Sequence, residues 1–307
     1  MTSEPALTRT PIFTSIPGKY ARFDSDGLDI GDAHLTACIA SWRNCGFEPV
    51  TVNSRSEVPH PLVAELGVRT VVVDRDASKL TGRPHLYMSD LVDAALRLGG
   101  ERVFLVNADI ELEMTGAAQN TIRSLRPMDI VWCSRIDYRV EKDPDRPRYE
   151  GGIDFFSAGR RCLSAVDFGE LVFGMPWWDH FLPLALLTKG GEPVSETGIH
   201  PYHLEHGGRW IRKNHIAFGR VFMRQVDSLA ASDGVDPVLK RHLDRIRGIW
   251  RGRPPDAGAA ETALAFLVAR LPLTRSMHLR RSLRDISLEN EVFFRGLRED
   301  ARTGQTA

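Results

Sequence analysis

The sequence predicts an α/β fold with a doubly wound, mostly parallel sheet and a helical C-terminal appendage. Up to about residue 135, short apolar runs bounded by turn residues alternate with segments that have helical spacing. Strands that alternate with helices imply parallel βαβ units, which build a doubly wound sheet. After about Phe222 the apolar runs give way to helical stretches. With 307 residues and 42% apolar side chains, the chain can bury a full core.

The individual elements are predicted from apolar runs and from the glycine and proline residues that end them. Strands are expected at Pro11–Ile16, Pro49–Val52, Val68–Val73, Val103–Val106 and Ile130–Cys133. Helices are expected at His34–Cys45, His85–Leu98, Pro237–Trp250, Ala259–Leu271 and Ser276–Asp300. The segment Asp137–Tyr149 is charged and contains prolines, so an exposed loop is expected there.

Composition narrows the class of protein. The formal net charge is zero, from 40 basic and 40 acidic residues, so no nucleic-acid partner is expected. The four cysteines form no C-x-x-C pair, which argues against a zinc knuckle and favours buried thiols in a reducing compartment. Neither a signal-peptide pattern nor an apolar run of ~18 to 20 residues is present. The chain is therefore expected to be soluble and cytoplasmic.

The segment Val103–Glu111 reads V-F-L-V-N-A-D-I-E and holds the strongest functional signal. Its apolar run predicts a buried parallel strand, and ligands collect outside the carboxyl ends of such strands. Asn107 and Asp109 follow that end. One carboxylate beside one amide suits a divalent cation that also holds a diphosphate. Taken alone, the same pattern also fits a turn with local side-chain capping.

Polar residues follow other predicted strands in order along the chain. The first strand ends near Thr14 and Ser15, the second ends at Asn53, and Arg83 opens the helix that leads to the N-A-D strand. Later segments add further polar and aromatic residues, at Tyr149–Ser157 (Y-E-G-G-I-D-F-F-S), Gly174–Pro183 (G-M-P-W-W-D-H-F-L-P) and His200–His206 (H-P-Y-H-L-E-H).

Taken together, these segments resemble nucleotide-sugar glycosyltransferases of the GT-A fold, whose D-x-D motif ends the central strand and binds the metal and the donor diphosphate. The resemblance covers roughly residues 10–220 and implies a nucleotide-sugar-binding catalytic domain there, followed by a helical region over 221–300 and a tail over 301–307. Asp109 matches the second, metal-binding carboxylate of the motif. Asn107 stands where the family usually has its first Asp, so nucleotide contact through the amide and metal-independent turnover both stay open.

The resemblance also suggests nucleotide contacts. Thr14, with the neighbouring Ser15 backbone, and Asn53 lie at the ends of the first two strands, and Arg83 can read a phosphate bidentately. Arg83 is equally consistent with a solvated surface residue. Asp154 follows a Gly-Gly pair, and the resemblance implies that this segment lies beside the donor sugar and the acceptor. Asp154 could therefore act at the catalytic centre by bonding sugar hydroxyls, or it could cap a turn.

Three histidines, His200, His203 and His206, recur at three-residue intervals. Neutral imidazoles ligate Mn²⁺ or Zn²⁺, and in the resembled family a late His or Asp often completes the metal shell. His203 and His206 are the candidates, and surface histidines are the alternative. Because residues three apart in an irregular loop seldom face one point, only one of the two is expected to matter.

Asp179 lies between Trp178 and His180 in a largely apolar stretch. A partly buried carboxylate has a raised pKa and can deprotonate an acceptor hydroxyl near neutral pH. Inverting GT-A enzymes place such a base in the corresponding late loop. The alternative is a helix N-terminal cap. Trp177 and Trp178 could form a platform for a sugar ring, although adjacent tryptophans more often lie one in the core and one at the surface.

The closing segment carries arginines interleaved with apolar residues and acids that nearly cancel their charge. We expect a helix packed on the domain or a homodimer contact there, in preference to a peripheral membrane helix.

The function expected from these patterns is transfer of a sugar from a nucleotide-diphosphate donor to a hydroxyl acceptor on a glycan, lipid or small molecule, with Mn²⁺ or Mg²⁺. A sugar-nucleotide nucleotidyltransferase shares the sheet, but the first strand is followed by I-P-G-K-Y, a poor substitute for a Gly-rich triphosphate loop. The third alternative is a non-catalytic binding or scaffold protein that keeps the fold, and Asn107 gives it weight.

Overall fold

The computed structural model describes residues 9–24, 26–139, 142, 152–195, 198–206, 212–252 and 272–303. The chain forms two compact units. The first comprises Met1–Ala165, Val172–Gly174 and Glu196–Arg209, and the second Val166–Leu171, Met175–Ser195 and Trp210–Ala307.

The strands fall mainly in the first unit. They are β1 (Thr10–Thr14), β2 (Phe47–Ser54), β3 (Arg69–Val73), β4 (Arg102–Val106), β5 (Ile110–Met114), β6 (Asp129–Ser134), β7 (Ile136–Tyr138), β8 (Ile153–Gly159) and β10 (Ile199–Leu204), while the short β9 (Glu192–Pro193) belongs to the second unit.

The helices divide between the units. The first unit contains α1 (Gly31–Asn44), α2 (Pro61–Glu65), α3 (Ser78–Thr81), α4 (Met88–Leu98), α5 (Gly116–Ser124) and α6 (Arg160–Leu163). The second contains α7 (Trp178–Thr188), α8 (Arg212–Ala230), α9 (Pro237–Trp250) and α10 (Pro272–Thr303). No helix among the described residues is long and apolar enough to cross a membrane.

The central sheet confirms the predicted α/β fold class. Within the first unit its strands run in the order β3-β2-β1-β4-β8-β6. β1 pairs in parallel with β2 and β4, β2 pairs in parallel with β3, and β8 runs antiparallel to both β4 and β6. The chain thus winds outward from β1 to β3 and returns to β4 on the other side of β1. In a doubly wound sheet, this switch between β1 and β4 is where ligands bind.

The central strands form because their apolar runs are buried on both faces, as parallel strands require. Ile12 and Phe13 of β1 and Phe155 of β8 are fully buried. Phe47 packs against Phe104 with their ring centroids 5.0 Å apart, which ties β2 to β4. The apolar runs therefore placed the sheet correctly, with bounds that differ from the predicted strands by a few residues.

A second sheet, absent from the sequence-based prediction, lies in the order β5-β10-β7. β10 is antiparallel to β5, pairing His203 with Ile110, and parallel to β7, pairing His203 with Asp137. The expected exposed loop over Asp137–Tyr149 is wrong at its start, since Asp137 and Tyr138 are buried in β7. Residues 143–150 lie outside the described part of the chain.

The second unit is built mainly from helices, among them those of the region after about Phe222, where helical stretches were predicted. α9 begins and ends where expected, because Asp236 caps it: its carboxylate accepts hydrogen bonds from Val238 N at 2.8 Å and Leu239 N at 3.2 Å. α10 extends beyond the predicted Ser276–Asp300, whereas Ala259–Leu271 lies outside the described residues. The boundary expected near residue 220 falls inside α8.

Candidate metal and nucleotide site

Asp109 lies in the tight connection between β4 and β5, outside the carboxyl end of β4. Asn107 N donates to Asp154 O of β8 at 3.2 Å, and Ile110 N donates back to Asn107 O at 3.3 Å. Trp42 of α1 donates from its indole nitrogen to Ile110 O at 2.9 Å. The backbone on both sides of Asp109 is thereby fixed by neighbouring elements.

His203 and His206 converge on Asp109, and these three residues are here called the metal-ligand cluster. Nε2 of His206 lies 3.4 Å and Nε2 of His203 lies 3.5 Å from Asp109 Oδ2, and the two imidazole nitrogens are 3.1 Å apart. One ligand atom from each residue lies within 4.8 Å of the others. The cluster therefore offers one carboxylate oxygen and two imidazole nitrogens to a single point.

The local structure explains this convergence and corrects the sequence-based expectation. The His-rich segment is not an irregular loop: His203 lies in β10, beside β5, and His206 follows that strand after it ends. The reason for expecting only one of the two histidines to matter for the metal is wrong, because both imidazoles face Asp109. His200 is three residues before His203, and since side chains alternate along a strand, it lies on the opposite face.

Two further residues hold the cluster in place. Nδ1 of His203 donates to Asp137 Oδ1 at 2.8 Å, which leaves Nε2 facing Asp109. Arg135 Nε lies 3.0 Å from the same Asp137 oxygen, and Arg135 Nη1 lies 3.5 Å from Asp154 Oδ2. A carboxylate behind a ligating imidazole fixes its tautomer and orientation. Sequence reasoning missed Asp137, which it had assigned to an exposed loop.

Arg22 is the second residue that sequence reasoning missed. Its Nη2 lies 2.6 Å from Asp109 Oδ2, and its side chain is only 8% exposed. The segment that carries Arg22 is held by Asp29, whose Oδ1 accepts from Arg22 N at 3.1 Å and from Gly31 N at 2.9 Å. A Cβ on Gly31 would lie 2.3 Å from Tyr20 O, so glycine is needed for this close approach.

Burial and charge set the protonation of the cluster. Burial raises the pKa of the Asp109 carboxyl, but hydrogen bonds from His203 and His206 and the charge of Arg22 outweigh burial and hold that pKa well below its usual range. Burial lowers the pKa of His203, but Asp109 and Asp137 outweigh it and raise that pKa to about 9. Burial and the neighbouring His203 lower the pKa of His206, against the opposing hydrogen bond to Asp109. A metal ion would therefore displace a proton from His203.

The donor set of the cluster fits a divalent ion. A carboxylate oxygen with two imidazole nitrogens suits Mn²⁺ better than Mg²⁺, which prefers oxygen ligands. Three protein donors leave further coordination positions for phosphate oxygens. Nδ1 of His206 is buried and has no hydrogen-bond partner among the described residues, so only its Nε2 is engaged at the cluster.

The predicted nucleotide contacts lie at several places in the first unit. Thr14, at the end of β1, is fully buried, and its Oγ1 has no hydrogen-bond partner among the described residues. Asn53, at the end of β2, is also buried, with Oδ1 accepting from Thr51 at 2.7 Å and Nδ2 donating to Ile16 O at 2.8 Å. Arg83 is exposed in the connection between α3 and α4, five residues before α4 begins.

Asn107 and Asp154 are joined directly. Nδ2 of Asn107 donates to Oδ1 of Asp154, which is buried in β8. The Asn107 amide therefore has a carboxylate partner inside the protein. Gly152, the second residue of the predicted Gly-Gly turn, accepts a hydrogen bond from Arg135 N at 2.8 Å.

Asp179 lies in the second unit, in the first turn of α7 and half-buried. The N-cap residue is Trp177, so Asp179 does not cap the helix. Trp177 has a φ of 84°, a left-handed conformation that is strained for a bulky residue. Both Trp177 and Trp178 are only 2% exposed. They therefore do not divide between core and surface, and neither ring is exposed as a platform for a sugar.

Comparisons with known proteins find similarity to solved structures at low sequence identity. No protein-family model matches it, and no curated protein does. The first 349 residues of TarS from S. aureus, solved in complex with UDP-GlcNAc, align over 97% of this chain and 93% of that one at 12% identity, with a TM-score of 0.49.

Two other solved structures are similar at the same level. GalNAc-T7 with UDP, GalNAc and Mn²⁺ aligns over 96% of this chain and 58% of that one, at 12% identity and a TM-score of 0.42. A nucleotidyl transferase from Methanothermobacter thermautotroptrophicus aligns over 64% and 88%, at 12% identity and a TM-score of 0.36. Because these TM-scores lie below 0.5, the evidence for an activity must come from the site.

Proposed function

We propose that this chain is a metal-assisted glycosyltransferase that moves a sugar from a nucleotide-diphosphate donor to a hydroxyl acceptor. The observation that supports the proposal best is the convergence of Asp109, His203 and His206 at the carboxyl end of β4, beside the point where the strand order reverses. Ligands bind at such switch points. A mixed oxygen and nitrogen donor set there suits a cation that holds a diphosphate.

In this proposal each residue of the site has a defined task. Asp109, His203 and His206 hold the divalent ion, which supplies charge stabilisation for the departing nucleoside diphosphate when bound. Asp137 orients His203, and Asp154 orients Asn107, whose amide carbonyl would contact the ribose or a water at the metal ion. Thr14, Asn53 and Arg83 are the proposed nucleotide contacts. Asn53 already uses its side chain for internal hydrogen bonds, which favours a role in shaping that end of the sheet.

Asp179 is the proposed base that removes the proton from the acceptor hydroxyl. Its half-buried position at the start of α7 supports this role, because it is not used as the helix cap. A positioned base contributes roughly 10²- to 10⁴-fold to the rate of such a step. If the transfer retains the anomeric configuration, the leaving phosphate can take that proton, and no dedicated base is needed.

Calorimetry of the purified chain tests the class of activity. UDP, GDP and ADP are titrated with and without Mn²⁺, and the corresponding triphosphates are titrated in parallel. Manganese-dependent affinity for one diphosphate is the expected result for a glycosyltransferase. Preference for a triphosphate would replace the proposal with a nucleotidyltransferase, and the absence of nucleotide binding would favour a non-catalytic protein.

A further inference from the structure

Arg22 shares the oxygen on which the metal-ligand cluster is centred. Asp109 Oδ2 lies 2.6 Å from Arg22 Nη2 and within 3.5 Å of both imidazole nitrogens. A divalent cation bound by Asp109 and the two histidines would therefore be a close neighbour of the guanidinium. Two positive groups in one partly buried site repel each other strongly, because the local dielectric constant is lower than that of water.

The remaining contacts of Arg22 leave its guanidinium able to turn toward another anion. Nη1 donates to Ala21 O of the adjacent residue at 3.0 Å, and the guanidinium carbon lies 4.4 Å from the centre of the Tyr20 ring. Nε is buried and has no hydrogen-bond partner among the described residues. An arginine fork with an unused donor is suited to a phosphate, which it can bind bidentately.

We infer that Arg22 links the binding of the cation to the binding of the donor. Its guanidinium competes with the divalent ion for Asp109 Oδ2, and it moves to the diphosphate when the nucleotide binds. This inference rests on the proposed function. It assigns the diphosphate as the ligand of Arg22 and makes metal affinity dependent on the donor. The consequence is ordered loading, in which the cation binds weakly alone and tightly together with a diphosphate.

The coupling predicts opposite effects on the two ligands. In Arg22→Gln, Mn²⁺ alone should bind more tightly than in the parent, by at least roughly fivefold, the lower end of the usual range for coupled sites. Pyrophosphate without metal should bind more weakly by a similar factor. In Arg22→Lys the positive charge remains but the fork is lost. Mn²⁺ affinity should then stay within about twofold of the parent, a bound set well below that coupling range, while pyrophosphate affinity falls.

The experiment measures free Mn²⁺ by electron paramagnetic resonance and pyrophosphate binding by calorimetry, with thermal unfolding as a check on folding. Pyrophosphate is the probe because it carries the diphosphate without a base or a sugar. Arg224→Gln is the matched charge control, since Arg224 forms an exposed ion pair with Glu170 at 2.8 Å in the second unit. This control should leave both affinities unchanged.

The outcomes separate this inference from the proposed function. Unchanged or weaker Mn²⁺ binding in Arg22→Gln would overturn the competition and leave Arg22 as a residue that orients Asp109. If Arg22→Gln does not fold, Arg22→Lys decides: pyrophosphate affinity equal to that of the parent overturns the inference. Nucleoside diphosphate binding by the parent with Mn²⁺ is scored separately, and its absence contradicts the proposed function itself.

Discussion

At the metal-ligand cluster, three ionisable side chains converge on one point, whereas at the start of α7 the proposed base is a single carboxylate. Asp137 holds His203, and Arg22 holds Asp109. Asp179 is half-buried in the first turn of α7, where its charge opposes the lowering of the His215 pKa by burial. Its place depends on the strained backbone of Trp177, which packs on Phe222 with their ring centroids 5.1 Å apart.

This difference indicates how sensitive each region should be to substitution. In the cluster, several groups together hold one ion. Substitution of a residue that only orients a ligand should therefore weaken metal binding without abolishing it. At α7, one carboxylate would perform one proton transfer, so its loss should lower turnover and leave ligand binding nearly unchanged. Five substitutions test this contrast, from the largest expected effect to the smallest.

Asp179→Asn should lower turnover by roughly 10²- to 10⁴-fold while leaving donor binding nearly intact, because the amide is isosteric but cannot accept the proton. Steady-state kinetics with the true acceptor measure the first effect, and calorimetry with the donor nucleotide measures the second. Asp233→Asn, an exposed acid of the same unit, is the control. Loss of a general base lowers turnover by at least ~10²-fold. If Asp179→Asn retains more than about a tenth of parental turnover, Asp179 is not the base.

His203→Ala and His206→Ala should each raise the Mn²⁺ concentration that gives half-maximal activity, by roughly 10²-fold if a lost ligand costs a few kcal/mol. Both should act because both Nε2 atoms lie within 3.5 Å of Asp109 Oδ2. His200→Ala is the matched control on the same strand. If His203→Ala and His206→Ala behave like His200→Ala, the metal site is elsewhere.

Asp137→Asn should weaken Mn²⁺ binding by roughly 10- to 100-fold, the usual effect of removing a group that orients a metal ligand. The side chain no longer fixes the imidazole of His203 with Nε2 toward Asp109. Electron paramagnetic resonance of free Mn²⁺ measures the change, and Asp137→Glu should recover part of the affinity. Asp74→Asn, in an exposed ion pair with Arg55, serves as the control. Equal affinity in Asp137→Asn would show that β7 does not support the cluster.

Asn107→Asp places a second acid two residues before Asp109 and should leave Mn²⁺ affinity equal or somewhat higher. The added charge faces Asp154, which now accepts a hydrogen bond from the Asn107 amide, and this repulsion limits the gain. Metal titration and thermal unfolding together measure the balance. A collapse of nucleotide binding would mean that the amide makes a hydrogen bond that a carboxylate cannot replace.

The elements that could be predicted from the sequence are mainly those whose apolar residues must be buried. The strands of the central sheet carry apolar runs, and Asp109 follows one of them directly, so its place outside the carboxyl end of β4 was predictable. α9 was predicted to the residue because its cap and its proline are local signals.

The rest depends on contacts between residues that are far apart in the chain. Arg22 reaches Asp109 across 87 residues, and His203 reaches Asp137 across 66 residues. β10 reads I-H-P-Y-H-L, a pattern without the regular alternation that predicts a strand. The two histidines were therefore identified by residue type and spacing, while their meeting at one point follows from pairing with β5 and β7.

The most direct test of the central claim is the Mn²⁺ affinity of the parent and of Asp109→Asn in the presence of the preferred nucleoside diphosphate. Asparagine keeps the volume of the side chain and can still accept a hydrogen bond from Arg22, so thermal unfolding should change little. We predict one tight Mn²⁺ site in the parent and binding weaker by roughly 10²-fold or more in the variant, as expected for a lost ligand. Equal Mn²⁺ and nucleotide affinities in the two proteins would contradict it.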